Sequence, residues 1–323
     1  MKYVSKAMEY WNSWVLFWSK KEQAHAIGCV RIGMGITLLY TFGSPWLADA
    51  STAIWVDEAY GGIRKYSLDS LPWFIQLFGG ATPFAVNCML GMGIISGILL
   101  VMGVWSQLAA LLGMIAMNTV SWYNLLATGG HDDLIANALW LLVFVNSGTS
   151  LSISTKIRTG QWRSNTEVYA FVRYLLIVQL IAMYASTGWQ KLSAHWIPFG
   201  SMDALWYILL QPTWARYDLR WAYAWYPLTQ LATLSTWVFE TMSPMFLVLL
   251  YLENTHRTDS SLLGKLQQIV QKYPLRWIFI LFGASLHIGI MAFMVVGPFS
   301  LASLSYYPAL LPKTVWKEDN PTS

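Results

Sequence analysis

Long apolar stretches without a polar face organise this chain. Between Ser70 and Gly130 there is no Asp, Glu, Lys, Arg or His, and from Trp277 to Pro312 the only such side chain is His287. A helix on the surface of a soluble protein carries a polar face opposite its apolar stripe. These stretches have none, and about 20 mostly apolar residues suffice to cross a bilayer. The pattern predicts membrane-spanning helices at 24–42, 84–104, 107–126, 134–148, 168–189, 228–252, 277–296 and 299–311. The fourth and eighth of these are short. Val104-Trp105-Ser106 is a tight enough connection to make the second and third a helical hairpin. The expected fold class is all-α: a polytopic integral membrane protein of about eight transmembrane helices.

Composition narrows the reading further. The 323 residues are 56% hydrophobic and only 11% charged, against about 25% charged in a soluble domain. That excludes a soluble enzyme, a disordered chain and a disulfide scaffold. No Lys/Arg cluster accompanies the net charge of +4, so nucleic acid is not expected as a partner. Cys29 and Cys88 both sit in apolar runs and read as small buried hydrophobes. Lys2 and Lys6 precede an aromatic stretch from Tyr10 to Trp18 with no signal-peptide core or cleavage site. It reads as an interfacial amphipathic segment, 1–23, ahead of a membrane domain, 24–312, and a cytoplasmic tail, 313–323.

Charge then orients the spans. With the N-terminus in the cytoplasm, inside segments hold thirteen Lys and Arg residues and outside loops five. The positive-inside rule favours both termini in the cytoplasm. Two long loops, 43–83 and 191–227, join 128–133 on the outer face. The second holds five tryptophans, with Trp189 beside it, which suits short amphipathic helices at the membrane interface.

Ionisable residues inside spans are costly and mark candidate sites. They are Arg31, Arg173, Glu240 and His287. Arg173, near a cytoplasmic end, is expected to snorkel. Arg31 and Glu240 lie deeper, where they would pair with each other or with neutral polar side chains. His287 reads first as a hydrogen-bonded core histidine. Two outer-face motifs are sharper. Thr128-Gly129-Gly130-His131-Asp132-Asp133 opens the fourth span. A glycine turn followed by carboxylates in a first helical turn explains all but the histidine, so His131 is a candidate acid/base and Asp132 its neighbour. Gln190-Lys191-Leu192-Ser193-Ala194-His195-Trp196 closes the fifth span. Lys191 either snorkels or, buried beside Trp189 and Trp196, acts as a base. A metal on His131, Asp132 and Asp133, or a haem between His131 and His287, is a weaker alternative, and no metal is expected.

In their order and spacing these motifs resemble the HTTM (horizontally transferred transmembrane) family, whose best-known member is the vitamin K-dependent γ-glutamyl carboxylase. They are Gly129-Gly130-His131, Gln190-Lys191-Leu192 with Trp196 and Gly200, Leu286-His287-Ile288-Gly289-Ile290, and Gly297-Pro298-Phe299-Ser300. The last two look closest to the small bacterial members, of the sporulation-delaying-protein B kind, that mature secreted peptide toxins. The resemblance runs from about Ala24 to Pro312. It implies a bacterial cytoplasmic-membrane protein that modifies or matures an exported peptide. Lys191 would deprotonate a reduced quinone (a menaquinol or vitamin K hydroquinone), which with oxygen yields a strong base; His131 and His287 would assist. Trp189, Trp196, Arg31, Glu240 and Asp132 would bind substrate or cofactor. Without the carboxylase's large extramembrane domain, peptide recognition would fall to the outer loops or to a small companion protein. The lipid bilayer is the remaining partner. The alternative from another class is a non-enzymatic transporter or immunity-type binding protein, with Arg31, Glu240 and His287 lining its path.

Overall fold

A computed structural model of the chain describes residues 8, 11, 12, 14–16, 18–254 and 262–316. Part of the expected interfacial segment 1–23, Arg257 of the charge count and the end of the tail 313–323 lie outside the described residues. The described chain is predominantly helical and forms two compact units. One comprises the described residues up to Leu176 together with those from Leu301 onward; the other lies within Ile177–Ser300.

The first unit is built on α1 (His25–Leu47), α4 (Pro83–Met102), α5 (Ser106–Tyr123) and α6 (Gly130–Val143), with short helices α2 (Ser51–Trp55), α3 (Trp73–Leu77) and α7 (Ile153–Thr159) in its connections. Small residues set its closest crossing. A Cβ on Gly35 of α1 would lie 2.8 Å from the Gly97 carbonyl of α4, and one on Gly97 would lie 2.9 Å from the Gly35 carbonyl. Such small-residue contacts let helix backbones approach where lipid supplies no hydrophobic drive. Gly103 and Trp105, both with positive φ, turn α4 into α5, which is the expected hairpin.

The chain enters the second unit within α8 (Phe171–Gln190) and returns within α14 (Phe299–Leu310). Back in the first unit, the Tyr306 hydroxyl donates to the Leu134 carbonyl at 2.6 Å, and Ser305 packs on Gly33 and Thr37. The second unit also holds α9 (Ala204–Leu210), α10 (Tyr226–Met242), α11 (Met245–Glu253), α12 (Leu262–Lys272) and α13 (Leu275–Phe293). Phe239 centres its aromatic core, with ring centroids 5.1 Å from Tyr184, 4.7 Å from Phe279 and 5.0 Å from Phe282.

Among the described residues, four helices are long and apolar enough to cross a membrane: α1, α4, α8 and α13. The expected span 228–252 is not one helix. It breaks at Ser243-Pro244 into α10 and α11, bent by 57°, because proline has no N–H to continue the ladder and its ring clashes with the preceding turn. The other three expected spans fall on α5, α6 and α14, which are shorter or more polar than the four. α13 exposes Ile278, Leu281 and Ile288, an apolar surface suited to lipid and a liability in water.

A two-stranded antiparallel ladder, β1 (Lys21–Gln23) with β2 (Glu167–Tyr169), was not foreshadowed by the apolar pattern. It anchors a buried ion pair that replaces the expected snorkelling of Arg173. The guanidinium donates to both carboxylate oxygens of Glu22, at 2.6 and 2.8 Å, and to the Ala309 carbonyl at 3.1 Å. With three acceptors in reach, the side chain has no reason to leave the protein interior.

Candidate functional site

Lys191 directly follows α8, and its position is fixed by the approach of that helix to α10. The Lys191 amide donates to the Gly188 carbonyl. At Gly188 a Cβ would stand 2.6 Å from the Thr241 amide nitrogen and 2.8 Å from the Glu240 carbonyl carbon, so only glycine permits this crossing. Two indoles stitch it. Trp189 Nε1 donates to the Thr241 carbonyl at 3.3 Å, and Trp237 Nε1 donates to the Lys191 carbonyl at 3.2 Å.

The result is an ion pair between Lys191 Nζ and Glu240 Oε2. Glu240 is buried, while Lys191 keeps partial access to solvent. The ammonium also lies 4.6 Å from the Trp196 ring centroid, a cation–π distance. Four residues singled out from the sequence, Trp189, Lys191, Trp196 and Glu240, therefore form one cluster. The suggested pairing of Glu240 with Arg31 is replaced by the pairing with Lys191.

Trp196 also lines a cavity of about 400 Å³ shared with Ser193, His195, Ala204, Tyr207 and Ile208. His195 Nδ1 and Asp203 Oδ1 are 2.6 Å apart, and Ser201 Oγ donates to the same carboxylate oxygen at 2.6 Å. Desolvation works against the Asp203 carboxylate. The hydrogen bonds from Ser201 and His195 outweigh it and hold the group below its ordinary value. A carboxylate-oriented imidazole on a cavity wall is an arrangement suited to proton transfer. Gly200 shapes this loop, since a Cβ there would overlap the Ala194 backbone.

His287 lies deeper in the same unit. Its Nε2 is 2.6 Å from the Tyr184 hydroxyl, and its ring packs on Phe299. Tyr184 in turn packs on Phe239, the residue before Glu240. The histidine thus supports the aromatic core behind the cluster, as the plainer sequence reading expects.

The remaining candidates belong to the first unit. His131 folds back over Gly129, with Nε2 3.2 Å from Asp132 Oδ1. Asp132 accepts the Gly129 amide through its other oxygen, at 3.1 Å, and thereby closes the first turn of α6. Both groups precede the apolar stretch that begins at Leu134. Burial pushes the His131 imidazole down and the Asp132 carboxyl up from their ordinary values. Arg31 is fully buried in α1 and donates through Nη2 to the Leu151 carbonyl at 2.6 Å.

Tyr184, Gly188, Trp237 and the His195–Asp203 pair are the contributions that the sequence reading lacked. His195 stood inside a quoted motif, and Asp203 was not singled out. No family model, no curated protein and no solved structure matches this chain.

Proposed function

We propose that the chain is an HTTM-like multi-pass membrane protein that modifies or matures an exported peptide, with the Lys191–Glu240 pair handling the proton. One observation carries this reading: the lysine of the Gln-Lys-Leu motif is held against a buried carboxylate and an indole, beside a cavity. The pair accepts a proton as a unit. A substrate proton delivered to it leaves Lys191 as ammonium and Glu240 as the neutral acid, so the carboxylate is the final acceptor and the amine its relay. Trp189 and Trp237 hold the backbone in register for this. His195, oriented by Asp203, stands where a peptide side chain entering the 400 Å³ cavity would meet it.

The same unit fits a quinone. A second cavity of about 520 Å³ is lined by Phe239, Met242, Phe246, Phe279 and Phe282 at the bend between α10 and α11. Apolar, aromatic walls of that size suit a ring with an isoprenoid tail. A bound reduced quinone supplies an acidic hydroxyl and the electrons for oxygen-dependent base formation. Phe239 immediately precedes Glu240, so one stretch of α10 serves both the apolar wall and the polar pair.

The apolar pattern supports eight spans, and the Lys/Arg count supports cytoplasmic termini and an outer-face site, which fit an exported substrate in a bacterial cytoplasmic membrane. The outer loops and a small companion protein then recognise the peptide. Mass spectra of secreted peptides from cells carrying the wild type or Lys191→Ala test this. A species lost, or replaced by its precursor, supports the proposal. Identical spectra, with loss of function in Arg31 or His287 variants, point instead to a transporter or immunity-type binding protein.

A further inference from the structure

A second polar site lies in the first unit, independent of the proposed peptide chemistry. Where α4 turns into α5, a cavity of about 610 Å³ is lined by Gly103, Ser106, Asn146, Thr149, Ser154 and Arg158, among others, and by no Asp or Glu. Three observations give it a positive character. Arg158 is exposed on its wall. The N-terminal turn of the 18-residue α5, Ser106 to Leu108, forms part of the lining, and a helix N-terminus presents free amides and the positive end of the dipole.

The third is Arg31, which is 0% exposed. Its Nη1 lies directly against Gly103, where a Cβ would overlap it. Gly103, with φ +70°, is thus both the turn residue and a thin wall between the guanidinium and the cavity. Nη2 has its carbonyl partner, but Nε and Nη1 have no hydrogen-bond partner among the described residues, and no carboxylate there lies within ion-pair distance. A buried cation left so incompletely paired is costly. An anion in the adjoining cavity offsets that cost.

We propose that this cavity binds a phosphate group. Arg158 on the wall and the Arg31 guanidinium behind Gly103 balance a phosphate's one to two negative charges, and the first turn of α5 with the Ser106 hydroxyl adds donors, while the Thr149 and Ser154 hydroxyls donate to backbone carbonyls. The phosphate is either free in solution or the headgroup phosphate of a phospholipid, since helix ends of this kind lie at headgroup depth.

The test uses the purified full chain. Inorganic phosphate is titrated in by calorimetry, and retained phosphatidylglycerol is measured by native mass spectrometry after delipidation. Arg158→Gln, an exposed change, is expected to weaken binding about tenfold, and Arg31→Gln to remove it. Lys156→Gln, on the same short helix but off the cavity wall, is expected to change neither. Phosphate binding lost in Arg158→Gln identifies a soluble ligand; lipid retention lost without phosphate binding identifies the headgroup. The proposal is overturned if the wild type binds neither, or if Arg158→Gln and Lys156→Gln behave alike. Should Arg31→Gln fail to fold, Arg158→Gln decides alone.

Discussion

Replacing Gly188 by alanine separates two opposing effects whose balance depends on the site's geometry. In an unobstructed helix, glycine to alanine gains about 1 kcal/mol from backbone entropy. At Gly188 the new Cβ would stand 2.6 Å from the Thr241 nitrogen and 2.8 Å from the Glu240 carbonyl carbon, both of them backbone atoms that cannot rotate away. Restoring ordinary contact at 3.4 Å requires the two helices to separate by several tenths of an ångström. Overpacking of this kind costs about 1–3 kcal/mol, which cancels or reverses the entropic gain. Gly289, in α13 of the same unit, is the control, because a Cβ there meets nothing within 4 Å. The assay is the unfolding midpoint in detergent for both variants. Gly289→Ala is expected to raise it and Gly188→Ala to leave it unchanged or lower it. Peptide maturation should fall only in Gly188→Ala, because Lys191 and Glu240 move apart with their helices. Equal stabilisation by both substitutions would refute the close crossing, and the ion pair built on it.

Arg173→Ala should destabilise the first unit by about 1–3 kcal/mol, because it leaves the buried Glu22 carboxylate with only the longer contact to Lys313, at 3.5 Å. The double variant Arg173→Met/Glu22→Gln should recover most of that loss in an SDS-titration unfolding curve, and a single-variant effect below about 1 kcal/mol would contradict it. Asp57 sets a pH dependence in the connection between α2 and α3. Amides of Ala59 and Tyr66 donate to its carboxylate and hold it below its ordinary value. A depressed folded value means that the contribution is complete above the unfolded value of about 3.9 and is lost as pH falls through the folded one. Exchange of the Tyr66 amide, corrected for intrinsic rate, should therefore accelerate below about pH 4, and Asp57→Asn should remove that dependence.

Helix existence was legible in the sequence because apolar stretches announce themselves: every expected span is helical, though 228–252 falls on two helices. Their ends and continuity were less so. Pro244 was visible inside 228–252, yet hydropathy averages over it, and only the backbone shows the 57° bend. The span drawn to 148 stops earlier, at Val143, where Asn146-Ser147-Gly148 begins a hydroxyl-rich turn. Three-residue strands such as β1 carry too few alternations to be read. At the site, Lys191 and Glu240 were each conspicuous as charges in an apolar chain. Their pairing was not, because 49 residues and a loop separate them, and the helix crossing that joins them depends on Gly188, which on its own reads as punctuation near a helix end.

A double-mutant cycle on Lys191→Ala and Glu240→Gln, read as the yield of mature secreted peptide, tests the central claim most directly. If the two side chains handle one proton as a unit, each single variant removes most of the yield, and the double variant is no worse than either. Losses that simply add, or normal yield from Lys191→Ala, would contradict it.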